Sequence, residues 1–251
     1  EASKGDYIYF LDSDDYIDES ALEILLSIAA TDNSEIVFCD AVSFADTNDF
    51  KVNQNYIRKN TYNKNSGYSV FSEMTENKEF HSAVYLMFFN KQFIDNNSLS
   101  FVPHILHEDM VFSFIALCKA KAVSQCRQAL YYRRYRKNSI MTGKKSKNHF
   151  SSCISVYRHN SDFAKNLKQE DNGAAIDFVC RCAFNVFNVY EKLDKKDKKD
   201  CKNELITFTK DVLANNAFGN TALKMRCYGK AFWVLFKIFE KTVGRLAKGK
   251  K

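Results

Sequence analysis

Four carboxylates crowd the stretch "YIYFLDSDDYID": Asp12, Asp14, Asp15 and Asp18. They follow an almost wholly apolar run, so the acids stand where a buried strand ends. In open α/β sheets, ligands bind beyond the carboxyl ends of the strands. Carboxylates this close disfavour one another's charge unless something cationic joins them. An Asp-x-Asp pair offers hard oxygen ligands, the kind that Mg²⁺ or Mn²⁺ takes together with the phosphates of a bound ligand. Asp12-Ser13-Asp14 therefore reads as a metal and diphosphate site, whereas Asp18 is placed to cap the helix that follows.

Other chemistries can use such a stretch. An EF-hand would draw on Asp12, Asp14 and Glu23, but it needs glycine where Ile17 stands and a helix where the apolar run lies. A phosphatase of the haloacid dehalogenase kind also ends a strand in Asp-x-Asp, with the first Asp as nucleophile. It normally continues into a small pair such as Gly-Thr, and here Asp15-Tyr16 follows. A solvated turn would account for Asp18, yet three further acids exceed what a turn needs.

A second acid pair, Glu108-Asp109, opens the apolar run "HEDMVFSFIALCKAK". Acids in a first helical turn complement the helix dipole, so helix stabilisation alone is one reading of this pair. His107 either lines the site or is structural. Arg133, Arg134 and Arg136 follow in "LYYRRYRKNSIM". Guanidinium groups suit planar, bidentate phosphate contacts, and a solvated basic strand end is the alternative.

The elements that must carry these groups follow from patterning. The apolar run over 7–11 lacks alternation and suits a strand covered on both faces, as in a parallel sheet. A helix is expected over 19–30, with Leu22, Leu25, Leu26 and Ala29 on one stripe. "EIVFC" (35–39) reads as a second short strand. Residues 45–68 are polar, Asn-rich and aperiodic, which suits a long loop or an irregular hairpin. A weak helix over 69–77 follows, then a helix entered at about Glu108 and a short strand opening 128–141. From about 148 the pattern is helical, broken by the charged "EKLDKKDKKDCK" (191–202).

Bulk composition agrees with a folded enzyme-sized body. The chain has 251 residues, 45% hydrophobic, with 22 Phe, 13 Tyr, 8 Gly and the single proline Pro103. That favours helices and a substantial core over a turn-rich all-β fold or disorder. Eight cysteines without a CxxC pair read as reduced thiols in the cytosol. The net charge of +7 is concentrated in 226–251, which holds eight Lys/Arg against one acid, Glu240. The rest of the chain is neutral, unlike a nucleic-acid enzyme with a basic body, so no nucleic-acid partner is expected. In "YGKAFWVLFKIFEKTVGRLAKGKK" (228–251) apolar residues recur at helical spacing among lysines. This fits a basic amphipathic helix on an anionic membrane surface, or a C-terminal helix packed on the body.

With these residues in view, "GDYIYFLDSDDYID" resembles the metal-binding segment of the family 2 glycosyltransferases with the GT-A fold. "HEDMVFSFIALCKAK" resembles that family's Glu-Asp signature, and "LYYRRYRKNSIM" the segment that follows it in bacterial members acting on surface polysaccharides. The three occur in the family's order across 1–142. The resemblance implies an α/β fold: a partial GT-A mixed sheet with flanking helices over 1–145, then a helical region over 146–251 ending in the basic tail. It also implies that the family's opening βαβ segment, which cradles the uracil, lies outside this sequence.

The implied activity is inverting transfer of a sugar from a nucleotide-diphosphate donor, most simply a UDP-sugar, with Mn²⁺ or Mg²⁺. The acceptor would be a hydroxyl of a saccharide or lipid-linked saccharide. On this resemblance Asp14 ligates the metal, Asp12 contacts ribose, diphosphate or metal, and Asp15 is a supporting ligand. Asp109 is the base, Glu108 positions base or acceptor, and Arg133 and Arg136 contact the diphosphate. The location implied is cytoplasmic, peripheral at the inner face of the plasma membrane. A reading from another class is a non-catalytic interaction or membrane-docking module on a truncated transferase fold.

Overall fold

The computed structural model describes residues 3–45, 52, 55–62, 66–135, 143–167 and 172–214. They fall into two compact units, the first reaching Lys144 and the second beginning at Lys145.

The first unit is built on five strands: β1 (Tyr7–Tyr9), β2 (Tyr16–Ile17), β3 (Ile36–Phe44), β4 (Met87–Asn90) and β5 (Val123–Arg134). They form one sheet in the order β1-β4-β3-β5-β2. β3 and β5 run parallel, and the other pairings are antiparallel. The result is the expected mixed sheet with flanking helices. Its details depart from the sequence reading in two places. The apolar run over 7–11 is not a strand inside a parallel ladder. It pairs antiparallel with β4, Tyr7 opposite Asn90, and has left the sheet by Phe10. β5 is also longer than expected, because its first half continues the ladder along β3 from Val123.

α1 (Ala21–Asp32) covers one face. Asp18 starts it by accepting from the Ser20 N–H at 2.9 Å and from the Ser20 hydroxyl. Asn33 ends it in the left-handed conformation that asparagine tolerates. Ala21, Leu25 and Ala29 pack with Val37, Cys39, Phe88, Cys126 and Leu130 of the sheet. The buried stripe is rotated from the expected one. Ile24 and Ile28 turn to the core, while Leu22 and Leu26 are about half exposed at 51% and 47%. Both stripes have helical spacing, and the sheet decides which is covered.

α2 (Gly67–Glu76) and α4 (Asp109–Lys119) contribute Phe71, Phe114 and Leu117 to the core, with Phe71 and Phe114 at 5.1 Å. A Cβ on Gly67 would meet the Leu117 carbonyl oxygen at 2.1 Å, so only glycine allows this approach. A short helix, α3 (Lys91–Asn96), follows β4 directly, capped by the Asn90 side chain.

Residues 55–62, expected as loop, are pinned to the sheet. Tyr56 bridges Ala41, and Arg58 is buried with its Nη1 2.8 Å from Asp40 and 2.8 Å from the Cys39 carbonyl oxygen. The Glu79 carboxylate accepts from the Lys59 and Asn60 N–H groups and the Tyr62 hydroxyl.

The second unit is helical where described: α5 (Lys147–Lys165), α6 (Gly173–Glu191) and α7 (Lys195–Ala214). The charged stretch expected to break the helical pattern forms only a brief break. Asp194 accepts from the Asp197 N–H, and α7 starts at once, burying Cys201, Leu205 and Phe208. The seven described cysteines are buried and form no disulfide among the described residues, and no described helix is long and apolar enough to cross a membrane.

Candidate active site

β1 delivers the acid segment, and an aromatic knot holds it. Immediately after β1, the Phe10 ring meets Phe89, Phe101 and Phe112 edge-on at 6.0, 5.1 and 5.8 Å. Phe101 precedes α4 and Phe112 lies within it, stacked on each other at 4.5 Å. One side chain next to the Asp-x-Asp segment thus binds the segment that carries Glu108 and Asp109. Burial of large aromatic surface is the strongest local glue available to a loop.

Beyond Phe10 the chain emerges, with Leu11, Asp12 and Ser13 exposed. It turns as the Asp15 N–H donates to the Asp12 carbonyl at 3.1 Å, then rejoins the sheet. There Tyr16 and Ile17 pair with Tyr132 and Tyr131, and the Asp18 N–H donates to Leu130. The strand at Tyr7–Tyr9 where a helix would be needed removes the EF-hand reading.

The carboxylates of the segment differ in what they do. Asp15 accepts the Tyr131 hydroxyl on Oδ2 at 2.6 Å and the Arg134 N–H on Oδ1 at 2.7 Å. Both its oxygens are engaged by β5, one by the Tyr131 side chain and one by the Arg134 backbone. Asp12 is accessible to solvent, yet partial desolvation and then the Asp15 and Asp14 carboxylates raise its pKa, Glu108 adding to the effect. Arg133 opposes that rise. Asp14 lies partly buried between them.

Glu108 and Asp109 open α4. The residue before them, His107, is left-handed with φ 65°, a conformation a non-glycine residue adopts at a cost. Glu108 at the N-cap makes no side-chain capping bond, so its carboxylate is not consumed by the helix. Asp109 Oδ1 accepts the N–H of its neighbour Met110 at 2.9 Å. Burial pushes the Asp109 carboxyl up to about 7, with the charges of Glu108 and then Asp12 adding to the rise. The two acid segments, far apart in sequence, therefore meet. A carboxyl poised near neutrality beside other acids is the environment of a general base.

Arg133 reaches toward the acids from β5. Its Nη1 donates to the Tyr56 hydroxyl at 3.0 Å, and its guanidinium lies over the Tyr56 and Tyr135 rings at 5.7 and 5.8 Å. Arg134 alternates to the other face, over Phe44. Arg136 lies outside the described residues, as does the tail over 226–251. Reasoning from sequence missed three tyrosines: Tyr131, Tyr85 stacked on it at 4.3 Å, and Tyr56. The period-two alternation of Tyr131 and Arg133 on one strand is the signal that would have found the first of them.

A hard cation fits this chemistry in a restricted way. Asp12 and Asp14 supply oxygen donors within a cluster whose mutual repulsion is only partly offset by Arg133. Among the described residues no three His, Cys, Asp or Glu side chains form a ready-made cage. Mg²⁺ and Mn²⁺ are commonly held by one or two carboxylates with substrate phosphates completing the shell, and Asp12 and Asp14 are carboxylates of that kind, separated by one residue in the same turn.

A family model described as Glycosyl transferase family 2 matches residues 1–97. EpsH of Bacillus subtilis (strain 168), named as a glycosyltransferase, is 30% identical over 184 residues, covering 70% of this chain and 51% of the relative. The chain thus spans about half the length of that relative. The structure is similar to S. aureus TarS 1–349 in complex with UDP-GlcNAc, with TM-score 0.63, 16% identity and coverage of 97% of this chain and 69% of that one. The complex of the same protein with UDP gives TM-score 0.61 at 15% identity, covering 99% and 68%. At these identities the likeness to TarS is one of fold.

Proposed function

Because this chain belongs to the family 2 glycosyltransferases, we propose that it carries the catalytic acids of an inverting enzyme. The enzyme would move a sugar from a UDP-linked donor to a hydroxyl of a saccharide or lipid-linked saccharide in bacterial surface polysaccharide synthesis. The observation that carries the reading is the meeting of Asp12 with Glu108 and Asp109, the last held near neutrality.

In this reading Asp109 accepts the proton of the acceptor hydroxyl. The hydroxyl oxygen attacks the anomeric carbon from the face opposite the diphosphate, the new glycosidic bond forms, and the bond to the diphosphate oxygen breaks with its electron pair leaving on UDP. Glu108, free of capping duty, orients the acceptor or Asp109. Asp14 and Asp12 would hold Mn²⁺ or Mg²⁺, which supplies charge neutralisation for the departing diphosphate. Arg133, already turned toward Asp12, contacts the diphosphate, and Arg136 is a second candidate from the sequence. A UDP-sugar donor and an anionic membrane surface engaged by 226–251 agree with work at the cytoplasmic face of a membrane.

The test is a screen of the full-length protein against a panel of nucleotide sugars, with Mn²⁺, Mg²⁺ or chelator. Metal-stimulated release of UDP from one or more donors is expected. Failure to bind UDP or turn over any donor with either metal would overturn the proposal.

A further inference from the structure

Tyr131 is wholly buried, and its hydroxyl lies under the acid segment. It donates to Asp15 Oδ2 at 2.6 Å and accepts from the Asp12 N–H at 3.3 Å. The same oxygen therefore grips both ends of the turn that contains Asp14. The turn closes on itself through the Asp15 N–H to the Asp12 carbonyl, and the Arg134 N–H takes the second Asp15 oxygen. The Tyr131 ring cannot swing, because Tyr85 is stacked flat against it at 4.3 Å with 15° between planes. Tyr85 in turn packs edge-on to Tyr56 at 6.2 Å, and Tyr56 accepts from Arg133.

We infer that Tyr131 is a positioning residue, holding the Asp12–Asp15 turn in the shape that binds the cation and diphosphate; this rests on the transferase reading above. Two physical facts support it. A buried hydroxyl between the Asp15 side chain and the Asp12 amide bonds to both at once, and the 2.6 Å contact to Asp15 is short. Tyr131 and Arg133 also share one face of one strand. A single rigid element therefore sets the spacing between the acid turn and the guanidinium proposed to meet the diphosphate. Asp15 belongs to the same device: it is the handle by which β5 holds the turn.

The variant Tyr131→Phe keeps the ring and its stack and removes only the hydroxyl. In the full-length protein, Mn²⁺-dependent affinity for UDP should fall about ten- to a hundredfold, as is usual when outer partners of a metal site are lost. Amide exchange at Asp12–Asp15 should quicken, with the thermal midpoint little changed. Asp15→Ala attacks the same bond from the other side, and should give a comparable loss. The two variants share the Tyr131–Asp15 bond, and each also loses one of its own, from the Asp12 N–H or the Arg134 N–H, so the double variant should lose clearly less than the sum of the singles. Wild-type UDP affinity in Tyr131→Phe would overturn the inference while leaving the transferase reading intact, as would strictly additive losses in the double variant. Absence of Mn²⁺-dependent UDP binding in the wild type would overturn that reading, and this inference with it.

Discussion

Asp109, the first residue of α4, sits close enough to Asp12 for the charge of Asp12 to help hold its carboxyl up at about 7. A base so placed must be ionised to accept a proton. Asp109→Asn should keep UDP binding and lose transfer by about a hundredfold or more, the usual penalty for removing a general base. Calorimetry with UDP and a transfer assay on the same preparation check both halves. Near-normal turnover would return Asp109 to a helix-start role.

The same group makes stability depend on pH. Its ordinary value is 3.8 and its folded value is about 7. Between these values the native state holds a proton that the unfolded chain has released. The stability it contributes is full below the unfolded value and is lost as pH rises through about 7. Urea denaturation of the ligand-free protein should show stability falling from about pH 4 to about pH 7 and levelling above, with a shallower fall in Asp109→Asn. Equal slopes would show that the carboxyl titrates elsewhere.

Asp14→Asn removes one ligand and one charge from the site proposed for the cation. Mn²⁺-dependent UDP binding should disappear while the protein still unfolds in one cooperative thermal transition. Unchanged Mn²⁺–UDP affinity by calorimetry would exclude the aspartate from the site.

Arg58 and Asp40 form an ion pair at 2.8 Å whose side chains are only 1% and 5% exposed. The guanidinium also lies 4.9 Å from the Phe38 ring centre. Breaking such a pair leaves a buried charge uncompensated, at a cost of about 3–5 kcal/mol. Arg58→Met should lower the thermal midpoint sharply. Combining it with Asp40→Leu should recover much of the loss, as apolar replacement of both partners is often tolerated. A double variant as unstable as the sum of the singles would show that the pair does more than neutralise itself.

For the tail over 226–251, its eight basic residues and one acid predict binding to anionic vesicles that weakens in salt. Phe232, Trp233, Phe236 and Phe239 should leave a salt-resistant remainder. Deleting 226–251 should abolish sedimentation with vesicles and spare donor hydrolysis in solution. A deletion that melts the protein would identify the tail as a packed helix.

Both acid segments were legible in the sequence. A strand ending in Asp-x-Asp and an acid pair opening an apolar helix are local patterns, set by side-chain chemistry within a dozen residues. The helices, the buried thiols and the mixed α/β character follow from the same kind of local information, in periodicity and composition. What the tertiary structure alone decided is which partner each group meets. Leu22 and Leu26 have the same helical spacing as Leu25 and Ala29, yet the sheet covers one stripe and leaves the other to solvent. Asp15 has the same carboxylate as Asp14, and its engagement by Tyr131 and Arg134 depends on the register of β5 against β2 and β3. That register includes a shift between Phe38 and Ala41 that no pattern of period two announces. Phe10, Phe101 and Phe112 likewise converge from separate segments, tying the Asp-x-Asp loop to the start of α4. Local chemistry names the groups that can react, but electrostatics and hydrogen bonding depend on distance in space, and distant segments are brought together only by packing.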